Sequence, residues 1–141
     1  MKDMIIVHCS ATPPAMDIGV REVRDWHVNG NGWRDIGYNY LIRRNGALEL
    51  GRDLDGDGDV EEETGAHTKG FNHNSIGICL VGGVDDDGNA ECNYTANQFI
   101  GLANLIDRIK RRHEGITVLG HRDLDSRKEC PCFDVQSFAG G

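Results

Sequence analysis

No stretch of this chain approaches the roughly eighteen consecutive apolar residues of a membrane-spanning helix, so no membrane insertion is expected. The N-terminal run MKDMIIVHCS is too short for a secretory signal and is interrupted by Asp3, which predicts a cytoplasmic product without a signal peptide. Positive charge is in the minority. The 15 Lys and Arg face 23 Asp and Glu, and a formal net charge of −8 argues against nucleic acid or anionic membranes as partners. The five cysteines are odd in number and lack the spacing of a secreted disulfide framework, so free or metal-bound thiols in a reducing compartment are expected. Cys130-Pro131-Cys132 has one intervening residue, which excludes the CxxC redox spacing. HExxH is absent too, and no internal repeat, linker or low-complexity tail is present.

What is present suits one soluble globular domain spanning residues 1–141, with 38% hydrophobic and 27% charged residues. Met4–His8 reads as a buried strand, and Pro13-Pro14 keeps Ser10–Asp17 a loop. From Val20 the period becomes helical, with Val20, Val23 and Trp26-His27 on one face, until Asn29-Gly30-Asn31-Gly32 ends it. Tyr38–Ile42 and Ala47–Leu50 flank Asn45-Gly46, a hairpin signal. Gly51–Asn74 is a long loop, of the length that is usually functional or mobile. Ser75–Val81 suits a central strand covered on both faces.

Thr95 and Gln98 form a capping box for a helix whose Phe99, Leu102, Ala103, Ile106 and Ile109 share a face. Lys110 to His113 suit its negative end, and Gly115 its stop. Alternating strands and helices predict an α/β fold, a sheet with helices packed on it.

The chemistry concentrates in Gly120–Asp134, GHRDLDSRKECPCFD. It follows a short apolar strand, Ile116–Leu119, so His121 lies at a strand end and Cys130 and Cys132 in the loop beyond it. His8 has the same setting after Met4–Val7. Two strand-end histidines and one loop cysteine make a three-ligand set with an open fourth position, the arrangement of a catalytic zinc. Taken singly, each histidine is as well explained as a satisfied polar residue. Cys9 and Cys79 read as core, His73 and His113 as surface, His27 as packing on the first helix, and Trp26 and Trp33 as core or groove wall.

The motifs HCSAT, REVRDWH, GYNYLIRRNG, GRD, GAHTKGFNHNSIGICLVGG, GHRD and CPCFD, taken together and in order, resemble the zinc-dependent N-acetylmuramoyl-L-alanine amidases. The small phage lysozymes of amidase type, which share the peptidoglycan-recognition-protein fold, are the nearest in pattern. The resemblance implies a central mixed β-sheet flanked by helices and a zinc groove for peptidoglycan. It implies His8, His121 and Cys130 as ligands of one Zn2+, with Tyr38 and Lys128 catalytic. His67 and Asn74, in GAHTKGFNHNS, match the loop that lines the substrate groove. The implied reaction is hydrolysis of the amide between N-acetylmuramic acid and the L-alanine of the stem peptide, by a monomer of phage or prophage endolysin type.

Asp53–Thr64, DLDGDGDVEEET, is an acidic segment where the resembling family has a shorter loop. Asp53, Asp55, Asp57, Gly58 and Val60 match positions of an EF-hand calcium loop, which admits Ca2+ there. The final bidentate Glu is replaced by Thr64, and no helical pair brackets the segment, so a mobile acidic loop is the competing reading. Three other classes compete for the whole chain. A non-catalytic peptidoglycan-binding module is opposed by Cys130 with Tyr38, a calcium sensor by Thr64, and a thiol redox protein by the CPC spacing.

Overall fold

A computed structural model describes residues 2–140. In chain order the elements are strand β1 (Met4–Cys9), helix α1 (Val20–Asp25), strands β2 (Tyr40–Ile42), β3 (Leu48–Leu50) and β4 (Ser75–Leu80), helix α2 (Ala96–Arg112), strand β5 (Thr117–Gly120), and short helices α3 (His121–Leu124) and α4 (Val135–Gly140). The five strands form one mixed sheet, ordered β3-β2-β4-β1-β5. β1 pairs in parallel with both β4 and β5, β2 in parallel with β4, and only the β2–β3 hairpin is antiparallel. The expected α/β sheet with flanking helices is therefore what forms.

β4 is central and buried along its whole length, as a largely apolar run requires. Residues at period two separate the faces. Ile5, Val7, Tyr40, Ile42, Ile76, Ile78 and Leu80 face the core under α2 and α4. Leu41, Cys79 and Val81 face the other way, where Ile18, Val20 and Val23 of the α1 region cover them. Burial of each large aliphatic side chain contributes about 1.5–3 kcal/mol. α1 covers the β2–β4 side of its face, while beside β1 the side chains of Ile6 and His8 are buried under other segments.

α2 starts where the capping box predicts. Thr95 Oγ1 accepts the Gln98 N–H at 3.1 Å, and Gln98 Oε1 accepts the Thr95 N–H at 2.9 Å. Gln98 is fully buried and its Nε2 donates to Val81 O at 2.8 Å, tying the helix start to the end of β4. Along α2, Leu102, Leu105, Ile106 and Ile109 are buried, whereas Ala103 is exposed and belongs to the outer face. Phe99 joins Tyr94, Phe133 and Phe138 in an aromatic cluster that seats the C-terminal segment.

Two sequence expectations are corrected. The first helix loosens into a wide turn over Trp26–Gly30, closed by an Asn31 N–H to Trp26 O bond, which rotates Trp26 outward to 41% exposure. The long loop is fastened rather than free. Arg52 donates to Ile36 O and Thr64 O, Lys2 Nζ to Glu63 O and Ser75 O, and Asn39 Nδ2 to Val60 O and Glu63 O. Among the described residues no helix is long and apolar enough to cross a membrane.

Candidate active site

The chemistry-bearing side chains gather on this face at the C-terminal ends of β1 and β5. Ile5 and Val7 point into the α2 core, so the alternation of β1 turns His8 to the opposite face, 2% exposed. β5 ends at Gly120, whose N–H is accepted by Asp123 Oδ2 at 2.8 Å, and this caps α3 with His121 as its first residue. The chain then returns through a turn to Cys130, whose carbonyl accepts the Arg122 N–H and whose Sγ accepts the Cys9 N–H at 3.1 Å. One ligand atom from each of His8, His121 and Cys130 lies within 4.8 Å of the others.

Tetrahedral zinc with bonds of about 2.0–2.3 Å needs ligand atoms about 3.3–3.8 Å apart, so a small inward movement completes the set. Burial, then the neighbouring His67 and His121 rings, hold the His8 imidazole neutral, the form that binds metal. His121 is likewise lowered, by burial and then Lys128, with Asp125 opposing. The hydrogen bond to the Cys9 thiol, followed by burial, pushes the Cys130 thiol up, so a cation must displace its proton. The donor set fits zinc.

Tyr38 lies beside this set, its ring 5.3 Å from that of His8 and 5.6 Å from that of His27. Burial, reinforced by the Cys79, Cys130 and Cys9 thiols, raises its hydroxyl well above the ordinary value, so it keeps its proton to donate. His27 Nδ1 accepts the Gly37 N–H at 2.9 Å and its ring stacks 4.7 Å from Trp33, which is 37% exposed. Trp33 therefore forms part of the wall rather than the core.

On the other side a cavity of about 490 Å³ is lined by His67, Thr68, Phe71, His121, Asp125 and Lys128, among others. Lys128 is exposed there, its N–H held by Asp125 O at 3.0 Å. A larger cavity of about 710 Å³ has no part of the candidate ligand set in its walls. It is lined instead by Glu61 and by Tyr40, Arg112 and His113, each of which is bonded to the Glu61 carboxylate.

His67 reaches the site from the long loop. Its Nδ1 lies 2.9 Å from His8 Nε2, and Thr68 Oγ1 lies 2.9 Å from His67 Nδ1 and 3.1 Å from His8 Nε2. Asn74 does not reach it. Its Nδ2 faces Asp3 at the start of β1, and the register sets Ser75 opposite Met4 but Cys79 opposite His8. That places Asn74 five residues, about 16 Å, down the sheet from His8. The asparagine of the same motif that serves the site is Asn72, whose Oδ1 accepts the N–H groups of both His67 and Thr68, at 2.9 and 2.8 Å.

Two more residues escape sequence reasoning. Gly77 leaves the slot in β4 that His67 fills, and the fully buried Asn39 accepts the Gly77 N–H at 2.8 Å. The glycine interrupting SIGICLV was the available signal for the first. His113 is not a free surface residue, because its Nε2 meets Glu61 Oε1 at 2.9 Å.

In the acidic segment, Asp53, Asp55 and Asp57 each bring one carboxylate oxygen within 4.8 Å of the others. Asp53 Oδ2 accepts the Gly58 N–H at 2.9 Å, while the buried Asp53 Oδ1 has no hydrogen-bond partner in the protein. The hydrogen bond to Asp57 and the charge of that carboxylate push Glu62 up to about 7.

A His-His-Cys set, with His8 buried and the other two half-buried, lies beside a groove in an α/β sheet, a donor set that suits a metal-dependent hydrolase. Residues 2–133 match the N-acetylmuramoyl-L-alanine amidase family, and the chain belongs to it. It is 45% identical to the endolysin of Escherichia phage T7 over 136 residues, 96% of this chain and 84% of the relative. The amidase LysC of Clostridium intestinale superposes with a TM-score of 0.75 at 25% identity, over 92% of this chain and 76% of that one. Drosophila PGRP-LB superposes with a TM-score of 0.75 at 26% identity, over 99% and 78% respectively. The protein is a peptidoglycan hydrolase, an N-acetylmuramoyl-L-alanine amidase of the endolysin type.

Proposed function

We propose that this single domain is a zinc-dependent amidase in which His8, His121 and Cys130 hold the metal. The convergence of those three side chains beside a groove carries the reading. Zinc, when bound, supplies Lewis acidity and brings the pKa of water toward about 7. Tyr38, protonated and packed against His8, orients the reacting groups by donating its hydroxyl hydrogen. Lys128, on the groove rim beside His121, stabilises the oxyanion that develops when the amide carbonyl is attacked. The His121 ring stays neutral and leaves the positive charge to Lys128.

The rest of the reading is a monomer acting on peptidoglycan, held in a reducing cytoplasm before it meets the wall. Five cysteines without a disulfide among them suit that compartment. Calcium at Asp53, Asp55 and Asp57 is its lesser part, since Thr64 supplies no bidentate carboxylate. A rise in melting temperature with added Ca2+, lost in Asp53→Asn, decides that point.

The direct test measures zinc content and release of new L-alanine amino termini from peptidoglycan, for wild type and Cys130→Ala. One zinc per chain with release only by wild type is the expected result. Zinc without release by wild type makes the protein a binding module, and no zinc overturns the ligand assignment.

A further inference from the structure

The His67 ring is unusual in being held on several sides while touching His8. Below it lies Gly77, where a Cβ would fall 2.5 to 2.7 Å from three of the ring atoms. Its own N–H and that of Thr68 both end on Asn72 Oδ1. Ser75 Oγ, which donates to Phe71 O at 2.7 Å, sits 3.4 Å from His67 Nε2. The ring stands edge-on to His8, with centroids 4.8 Å apart and planes at 80°. This is a built contact: a loop side chain is seated in a slot in the central strand and aimed at one atom, His8 Nε2.

We infer that His67 is a positioning residue for His8. Its Nδ1, shared with the Thr68 hydroxyl, accepts the His8 Nε2–H and leaves His8 Nδ1 as the nitrogen that faces the metal. This rests on the zinc reading above. The chemistry is that of ligand orientation. An imidazole has two nitrogens, and anchoring one through an N–H donor bond fixes both the tautomer and the ring plane presented by the other. His8 is 2% exposed, so bulk solvent has little access to its ring. His67 also lines the groove, so a purely substrate-contacting role predicts a different result, a raised KM with metal binding untouched.

The experiment compares wild type, His67→Ala, His67→Asn and His67→Gln by competition for zinc against a chelator, with cobalt(II) absorption spectra alongside. An Asn amide oxygen reaches the position of Nδ1, whereas a Gln amide reaches that of Nε2. His67→Ala and His67→Gln are expected to bind zinc about 10- to 100-fold more weakly, with altered cobalt bands, and His67→Asn to recover most of the loss. In the zinc-loaded wild type, nitrogen NMR is expected to show His8 protonated at Nε2 and metallated at Nδ1. Zinc affinity equal to wild type in folded His67→Ala and His67→Gln overturns the inference and leaves the zinc site standing. So does metallation of His8 at Nε2. A wild type that binds no zinc overturns the zinc reading, and this inference with it.

Discussion

His67 lies directly over Gly77, so close that a methyl group on the glycine would sit 2.5 Å from His67 Cδ2. Gly77→Ala must therefore displace the ring or the strand. Overpacking of this kind costs about 1–3 kcal/mol. Urea unfolding is expected to show that loss together with reduced peptidoglycan hydrolysis. Gly30→Ala is the control, because a Cβ there meets nothing within 4 Å, and its stability is expected to match or exceed wild type.

Asn72 and Asn74 sit two residues apart but differ in consequence. Asn72→Ala removes the acceptor of two N–H groups behind His67 and is expected to cost about 1–3 kcal/mol and most of the activity. Asn74→Ala is expected to hydrolyse peptidoglycan at close to the wild-type rate. Equal losses in the two variants would put both asparagines in the groove.

Lys128→Ala is expected to lower kcat by about 100- to 1,000-fold with bound zinc unchanged, the signature of a lost oxyanion contact. Tyr38→Phe keeps the ring packing against His8 and removes only the donor, so it too is expected to lose kcat while retaining zinc. Metal analysis beside steady-state kinetics checks both.

Glu61 is 5% exposed and holds Tyr40, Arg112 and His113 together. Burial alone would raise its carboxyl. The Tyr40 hydroxyl, His113 and Arg112 outweigh that and hold it below the ordinary value. The unfolded chain then binds the proton more readily than the folded one. The cluster's stability is thus complete above the ordinary Glu pKa of about 4.3 and is lost as pH falls through the lower folded value. Arg112 is half exposed and screened, so the total is modest. Glu61→Gln is expected to be about 1–3 kcal/mol less stable near pH 7, with the gap closing as the medium is acidified. Urea midpoints across that range test it.

Local pattern carried much of this molecule into view. The largely apolar run of Ser75–Leu80, the Thr95–Gln98 box and the Asn45-Gly46 turn each depend on neighbours in sequence, and each element formed where its pattern lay. His8 and His121 stood out because strand ends are good places to hold ligands, Cys130 only through the family resemblance, and the fold gathers all three. What stayed hidden is non-local. Nothing near Glu61 announces Arg112 and His113, which arrive from the far end of α2, and nothing near Asn74 says that β4 begins away from His8. Trp26, which its spacing puts on the face of Val20 and Val23 as core or groove wall, is turned outward by the wide turn. α3 and α4 are too short to show a period.

The sheet order sets a timetable for the enzyme. β1 pairs with β4 and with β5, which follow it in sequence, and the Cys9 N–H waits for a sulfur 121 positions downstream. A nascent chain or a fragment ending before Cys130 holds at most two of the three gathered ligands. On the proposed ligand assignment, the centre therefore stays incomplete in any chain until β1 and the Cys130 loop are both in place.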